Sequence, residues 1–116
     1  MEYITKKAVK LPKRDPYSHK GGNGKVLVVG GSQDYVGAVA LAGLAALRSG
    51  CDLVRIIAPE KAAWAINAYS PDLITKKISN RKFFLKKDFK ILQSEMNKFD
   101  VLLIGNGIGL NYETKK

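Results

Sequence analysis

The sequence predicts an α/β fold built on a parallel sheet, and three observations lead there. Short apolar runs rich in Val, Ile and Leu alternate with longer segments of helical composition along the chain. The first run, "KVLVVGG" at 25–31, is continuously apolar, as a strand covered on both faces must be. Glycine clusters follow the first and last runs directly, at the end of a parallel sheet where ligands bind.

Each element has its own justification. Residues 1–24 form an N-terminal arm broken by Pro12 and Pro16 and closed by "HKGGNG". After the first strand, "VGAVALAGLAALRSG" (36–50) reads as a helix whose small residues let it lie close to a sheet. Gly50 stands where helices end in the left-handed conformation. "CDLVRIIA" (51–58) is a second strand, and Pro59 suits the first position of the helix running through "EKAAWAINAYS". "DLITKKI" (72–78) is a third strand, placed at a sheet edge by its lysines. Asp88 is positioned to cap a helix in which Phe89, Leu92, Met96 and Phe99 recur at helical spacing. "VLLIG" (101–105) is the fourth strand. The order is βαβαβαβ, with right-handed crossovers between parallel strands. No boundary interrupts 25–116, which reads as one unit. The last strand has no helix after it, so an uncovered face and edge are expected near Val101–Ile104.

Composition narrows the function classes. At 46% apolar residues the chain of 116 can bury a core, and its length suits one domain. The longest apolar stretch, 35–47, is too short and too rich in Ala and Gly for a membrane span, and no secretory signal opens the chain. The single cysteine, Cys51, excludes an internal disulfide and fits a cytoplasmic setting. The net charge of +10 is spread over the arm, the 76–90 region and the tail with few interleaved aromatics. That spread favours a Lys-rich solvated surface with an anionic small ligand over nucleic acid.

The candidate chemistry lies in two glycine clusters, "GGSQDYVGA" (30–38) and "GNGIG" (105–109), which would bring backbone N–H groups and a helix N-terminus to an anionic ligand. Neither is a known nucleotide fingerprint. Gly30 and Gly31 are adjacent where a dinucleotide motif needs G-x-G-x-x-G, and Gly37 is followed by Ala38 and Val39 where a P-loop needs Lys and Ser or Thr. "GGNGK" at 21–25 precedes a strand, the wrong geometry for a phosphate loop. His19 is the only histidine, which argues against a zinc site or a Ser-His-Asp triad and for a loop residue tying the arm to the sheet. Ser32 lacks the G-x-S-x-G frame and is expected to cap the turn after it. Cys51 reads as inert packing in a buried strand, and Trp64 as a core or interface residue. Asp34 and Tyr35 flank the first glycine turn, where they serve equally well as ligand contacts or as polar turn residues.

The stretches "SHKGGNGKVLVVGGSQDYVGAVALAGLAALRSGCDLVRIIAPE" (18–60), "SPDLI" (70–74) and "DVLLIGNGIG" (100–109) resemble the ADP/ATP-dependent NAD(P)H-hydrate dehydratases. These are ribokinase-like proteins of the carbohydrate kinase family, and the sequence looks most like an archaeal member. The resemblance implies a three-layer α/β/α ribokinase-like fold and a metabolite-repair lyase. Such an enzyme phosphorylates the added hydroxyl of hydrated NADH or NADPH with ADP or ATP and Mg²⁺, and loss of phosphate restores the dihydronicotinamide. Carried over by motif, the substrate-binding positions are Ala38 and Gly107, with Gly31, Ser32, Gly37, Asn106 and Gly109 beside them. Asn106 and Val39 stand where the family commonly has proline. The family's later His-Pro and G-T-G-D segments, the latter carrying the catalytic base, do not occur here. No catalytic residue is therefore assigned. The chain is expected to be the substrate-side half of the enzyme, inactive alone, and to self-associate as a homo-oligomer or to join a C-terminal half. Non-catalytic dinucleotide-binding or assembly modules of the same family are the alternative.

Overall fold

The computed structural model describes residues 5–10, 13–80 and 82–115. Its centre is a four-stranded, wholly parallel sheet of β1 (Lys25–Val29), β2 (Leu53–Pro59), β3 (Ile74–Ile78) and β4 (Val101–Ile104), in the spatial order β3-β2-β1-β4. Three helices, α1 (Val36–Arg48), α2 (Glu60–Tyr69) and α3 (Phe89–Met96), connect them. Short 3₁₀ turns occupy Lys6–Ala8, Lys86–Asp88 and Tyr112–Lys115. Among the described residues no helix is long and apolar enough to cross a membrane.

The layering follows from chain direction. The strands β1, β2 and β3 step one way across the sheet, and right-handed crossovers put α1 and α2 on one face. The step from β3 to β4 goes back past β2 and β1, so the same handedness puts α3 on the other face. Between the sheet and the α1–α2 layer, Val28, Val54, Ile56 and Ala58 meet Val39, Ala40, Ala62, Ala63 and Ile66. Close approach is possible because α1 carries Gly43. A Cβ there would stand 2.9 Å from both Ile56 Cδ1 and Leu73 Cδ2. On the α3 side, Leu27, Val29, Ile57, Ile78 and Phe84 are buried, with Ile91, Leu92 and Phe99 packed against them. Each fully buried Ile or Leu contributes about 1.5–3 kcal/mol relative to exposure.

Several expectations change in detail. Pro59 ends β2 and precedes α2 instead of opening it, because its extended backbone (ψ 146°) still pairs with Ile78. Asp88 does not cap α3 with its side chain. It is buried in the preceding 3₁₀ turn, where its carboxylate accepts the Leu85 N–H at 2.8 Å. Phe89 and Met96 are exposed, and the buried α3 residue is Glu95, only 3% accessible. Its carboxylate accepts from Arg55 of β2 at 2.7 Å and from Lys76 of β3 and Lys98 at 2.8 Å each. Those donors, Lys76 first and then Lys98, hold the Glu95 pKa down at about 2 against their opponent, desolvation. The clamp fastens α3 over β2 and β3. Cys51 lies before β2, not in it, and its thiol donates to the Ala46 carbonyl at 2.9 Å while burial raises its pKa. Trp64 is mostly exposed, with the Lys77 ammonium 4.1 Å above its ring. Of the two prolines breaking the arm, Pro12 lies outside the described residues, as does the tail residue Lys116.

The exposed edge is present. All four β4 residues are accessible, from 37% at Leu102 to 56% at Val101. Beside β4 on the α3 face, a cavity of about 540 Å³ is lined by Val29, Phe84, Leu92, Ile104 and Ile108, among others.

Candidate functional site

In open parallel sheets the crevice for a ligand forms where neighbouring strands send their chains in opposite directions. Here that point is between β1 and β4: the chain leaves β1 toward β2 on one side, and β4 pairs on the other. Asp100 sets this pairing from the opposite end. Its carboxylate accepts the Lys25 N–H at 2.8 Å while its own N–H donates to the Lys25 carbonyl at 2.9 Å. The two glycine clusters are thus carried to the same place.

They do more than approach. The Gly31 N–H donates to the Asn106 carbonyl at 2.8 Å, bridging the two loops through main chain. A side chain at Gly30 would run into that same carbonyl, which explains the double glycine. Gly107 holds φ +66°, and a Cβ on it would lie 2.5 Å from the Tyr35 carbonyl and 3.4 Å from Ala38 Cβ. A Cβ on Gly109 would lie 3.5 Å from Ser32 Oγ. Six of the seven residues singled out in the sequence therefore come together here: Gly31, Ser32 and Ala38 on one side, Asn106, Gly107 and Gly109 on the other. Gly37, by contrast, meets none of them and lies with Ala40, Leu41, Ala65 and Tyr69 on the outer side of α1 and α2. Asn106 contributes its backbone carbonyl, not its side chain, to the bridge.

Polarity converges on the same spot. The N-terminus of α1 follows Tyr35, which makes no side-chain capping bond, so that the first-turn N–H groups and the helix dipole face the crevice uncapped. Gly37 and Ala38 are exposed in that first turn. The expected cap from Ser32 is absent. Its hydroxyl is buried and has no hydrogen-bond partner among the described residues, although its carbonyl accepts the Tyr35 N–H at 3.3 Å. An unpaired buried hydroxyl costs about 1–3 kcal/mol, which a ligand reaching it would recover. Tyr35 is 59% exposed at the rim, with Asp34 beside it.

Asn80, Lys82 and Phe83, after β3, also reach this end of the sheet, and the glycine pattern gave no sign of them. The signal available was topological: they follow β3, and all loops after parallel strands emerge at one end. The Gln33 N–H donates to the Lys82 carbonyl at 2.9 Å, and the Glu60 N–H to the Asn80 carbonyl at 3.1 Å.

His19 lies elsewhere, at the amino ends of the strands, and it is not what ties the arm down. Asp52 does this. Its carboxylate accepts from Gly21 N–H at 3.0 Å, from Asn23 N–H and Nδ2 at 2.9 Å each, and from the Arg14 guanidinium. These bonds, the Asn23 N–H foremost, hold its pKa below the ordinary value. "HKGGNG" is thus a docking loop, remote from the crevice.

Comparison with known proteins decides the family. The family model for NAD(P)H-hydrate dehydratase, of the carbohydrate kinase group, matches residues 7–116. This chain belongs to the NAD(P)H-hydrate dehydratase family. The bifunctional NAD(P)H-hydrate repair enzyme Nnr of Methanothermobacter thermautotrophicus is 43% identical over 108 residues, which are 93% of this chain and 21% of that protein. The ATP-dependent (S)-NAD(P)H-hydrate dehydratase of Entamoeba histolytica is 40% identical over 94 residues, 79% of this chain and 29% of that one. Among solved structures, a ribokinase-like superfamily protein from Enterococcus faecalis superposes with a TM-score of 0.72 at 26% identity, covering 89% of this chain and 34% of its own. The ribokinase-like α/β architecture and the family's lyase character agree with the sequence reading. The chain spans about a fifth of the length of the archaeal repair enzymes it matches, 21% in the case above.

Proposed function

We propose that this chain forms the substrate-side wall of a nucleotide-dependent NAD(P)H-hydrate dehydratase. The observation that carries this reading is the crevice between β1 and β4, where two glycine loops joined by the Gly31–Asn106 bond stand beside the uncapped N-terminus of α1. In the reaction, ADP or ATP phosphorylates the hydroxyl of hydrated NADH or NADPH, and departure of the phosphate restores the ring double bond. The residues here bind and orient. Ala38 and Gly107 shape the space for the hydrated dinucleotide, and the small side chain of Ala38 admits it to the helix end. The Ser32 hydroxyl and the α1 N–H groups supply hydrogen bonds to its polar groups.

The orphaned Ser32 hydroxyl and the free helix end fit a phosphate-bearing ligand. They do not fit a metal. Among the described residues no group of three His, Cys, Asp or Glu side chains is placed to hold an ion. Mg²⁺ and the catalytic base are accordingly assigned no residue among those described. We propose that residues 25–116 act with further polypeptide, either a C-terminal half or a second copy, covering β4.

Pure chain incubated with hydrated NADH, ADP or ATP, and Mg²⁺ is expected to bind the hydrate without regenerating NADH. Ala38→Trp is expected to abolish binding. Failure of the wild-type chain to bind either hydrate would sink the proposal, and steady NADH formation would sink its restriction to one wall. Sedimentation should show association that Leu103→Lys weakens.

A further inference from the structure

We infer that Lys82 is a specificity-determining residue of the crevice, placing a positive charge on a phosphate group of the bound dinucleotide. The inference rests on the proposed dehydratase reading and extends it to a loop that no glycine motif marks.

A small cavity of about 190 Å³ opens where three loops converge: Ser32–Tyr35 before α1, Lys82 and Phe83 after β3, and 108–111 after β4. Whole-ligand pockets start near about 300 Å³, so this one takes an end of a ligand and not all of it. Its position is fixed on both sides. The Asn80 side chain accepts the Lys82 N–H at 2.8 Å and the Phe83 N–H at 3.2 Å, folding the loop. The Lys82 carbonyl accepts the Gln33 N–H at 2.9 Å, fastening the loop to the glycine turn. Phe84 is buried in the core behind it.

The groups around the cavity suit a sugar phosphate. Ser32 is 6% exposed, lines the cavity, and its hydroxyl has no partner among the described residues. The α1 N-terminus begins one residue beyond the Ser32–Tyr35 segment and favours negative charge. Lys82 is exposed, and among the described residues no carboxylate pairs with it. The acidic group present is Asp34, whose carboxylate accepts from Gln33 Nε2 at 3.4 Å. Asp34 opposes a bare anion and suits ribose hydroxyls. Lys82 with Asp34 thus selects a ligand carrying phosphate and sugar together over inorganic phosphate.

The test uses the 116-residue chain and four probes: hydrated NADH, hydrated NADPH, inorganic pyrophosphate and inorganic phosphate, with affinities measured by calorimetry at two salt concentrations. Lys82→Gln is expected to weaken both hydrates roughly tenfold and flatten their salt dependence. Lys82→Arg is expected to restore most of the affinity. Ser32→Ala should weaken binding without changing the salt dependence, as a neutral group does. Because Lys82 is exposed, its variants should keep the wild-type circular dichroism. Unchanged hydrate affinity in Lys82→Gln overturns the inference and leaves the dehydratase reading standing. Lys82-dependent binding of pyrophosphate with no binding of either hydrate supports the subsite and overturns the dinucleotide reading. Absence of all binding by the wild-type chain overturns both.

Discussion

The neighbouring strands β1 and β4 are made of nearly the same residues and meet opposite fates. In β1, Leu27, Val28 and Val29 are wholly inaccessible. In β4, in register beside them, Leu102, Leu103 and Ile104 are 37%, 39% and 53% exposed. Composition cannot account for this, since "KVLVV" and "VLLI" share one β-forming, apolar character. Neighbours account for it. The inner strand has a partner on each edge and helices over both faces, whereas β4 has one partner strand among the described residues. A cavity lies between β4 and the third helix, which Glu95 clamps to Arg55 of β2 and Lys76 of β3. A continuous apolar run predicts a strand, and only the topology says whether that strand is buried.

The contrast can be broken at its centre. Ile56→Ala, at a fully buried position, is expected to cost about 2–5 kcal/mol, and Leu103→Ala well under half as much. Urea unfolding of the two variants measures the gap directly. Equal losses would mean that β4 is covered in solution, by a second copy or by its own tail.

A smaller effect is expected at Gly107, the point where the β4 side does become tightly packed. Gly107→Ala puts a side chain at φ +66° and 2.5 Å from the Tyr35 carbonyl, a strain of about 1–3 kcal/mol. The same unfolding assay reads it. Unchanged stability would show that the 105–109 loop is free of α1. Smaller again is the pH term from the clamp. The Glu95 pKa falls from 4.5 to about 2 on folding, so its contribution is complete above pH 4.5 and is lost as pH falls toward 2. The stability difference between wild type and Glu95→Gln should therefore be constant at neutral pH and shrink over that acid window. A difference that stays level there would remove the carboxylate from the account.

The strand–helix alternation was legible because buried parallel strands leave continuous Val, Ile and Leu runs, and the glycine clusters were legible because tight βα turns need them. Helix faces were read less well. Spacing put Phe89 and Met96 inside, but the ion pairs of Glu95 turned that helix so that a carboxylate faces the sheet. The docking of the arm is not legible locally: Asp52, a lone acidic residue before a strand, binds Arg14, Gly21 and Asn23 only because the fold brings that loop back to it. Lys82 and Phe83 carry no local signal of a place in the site. Their place depends on which end of the sheet they emerge from, a three-dimensional fact with no local signature.

The bond from Gly31 N–H to the Asn106 carbonyl also makes the crevice observable. One amide proton spans the two loops, so its exchange with deuterium times their separation. A ligand wedged between the loops and a ligand resting on top of them would shift that one exchange rate in opposite directions. The crevice thus has its own clock, readable in the unmodified chain before any substrate is in hand.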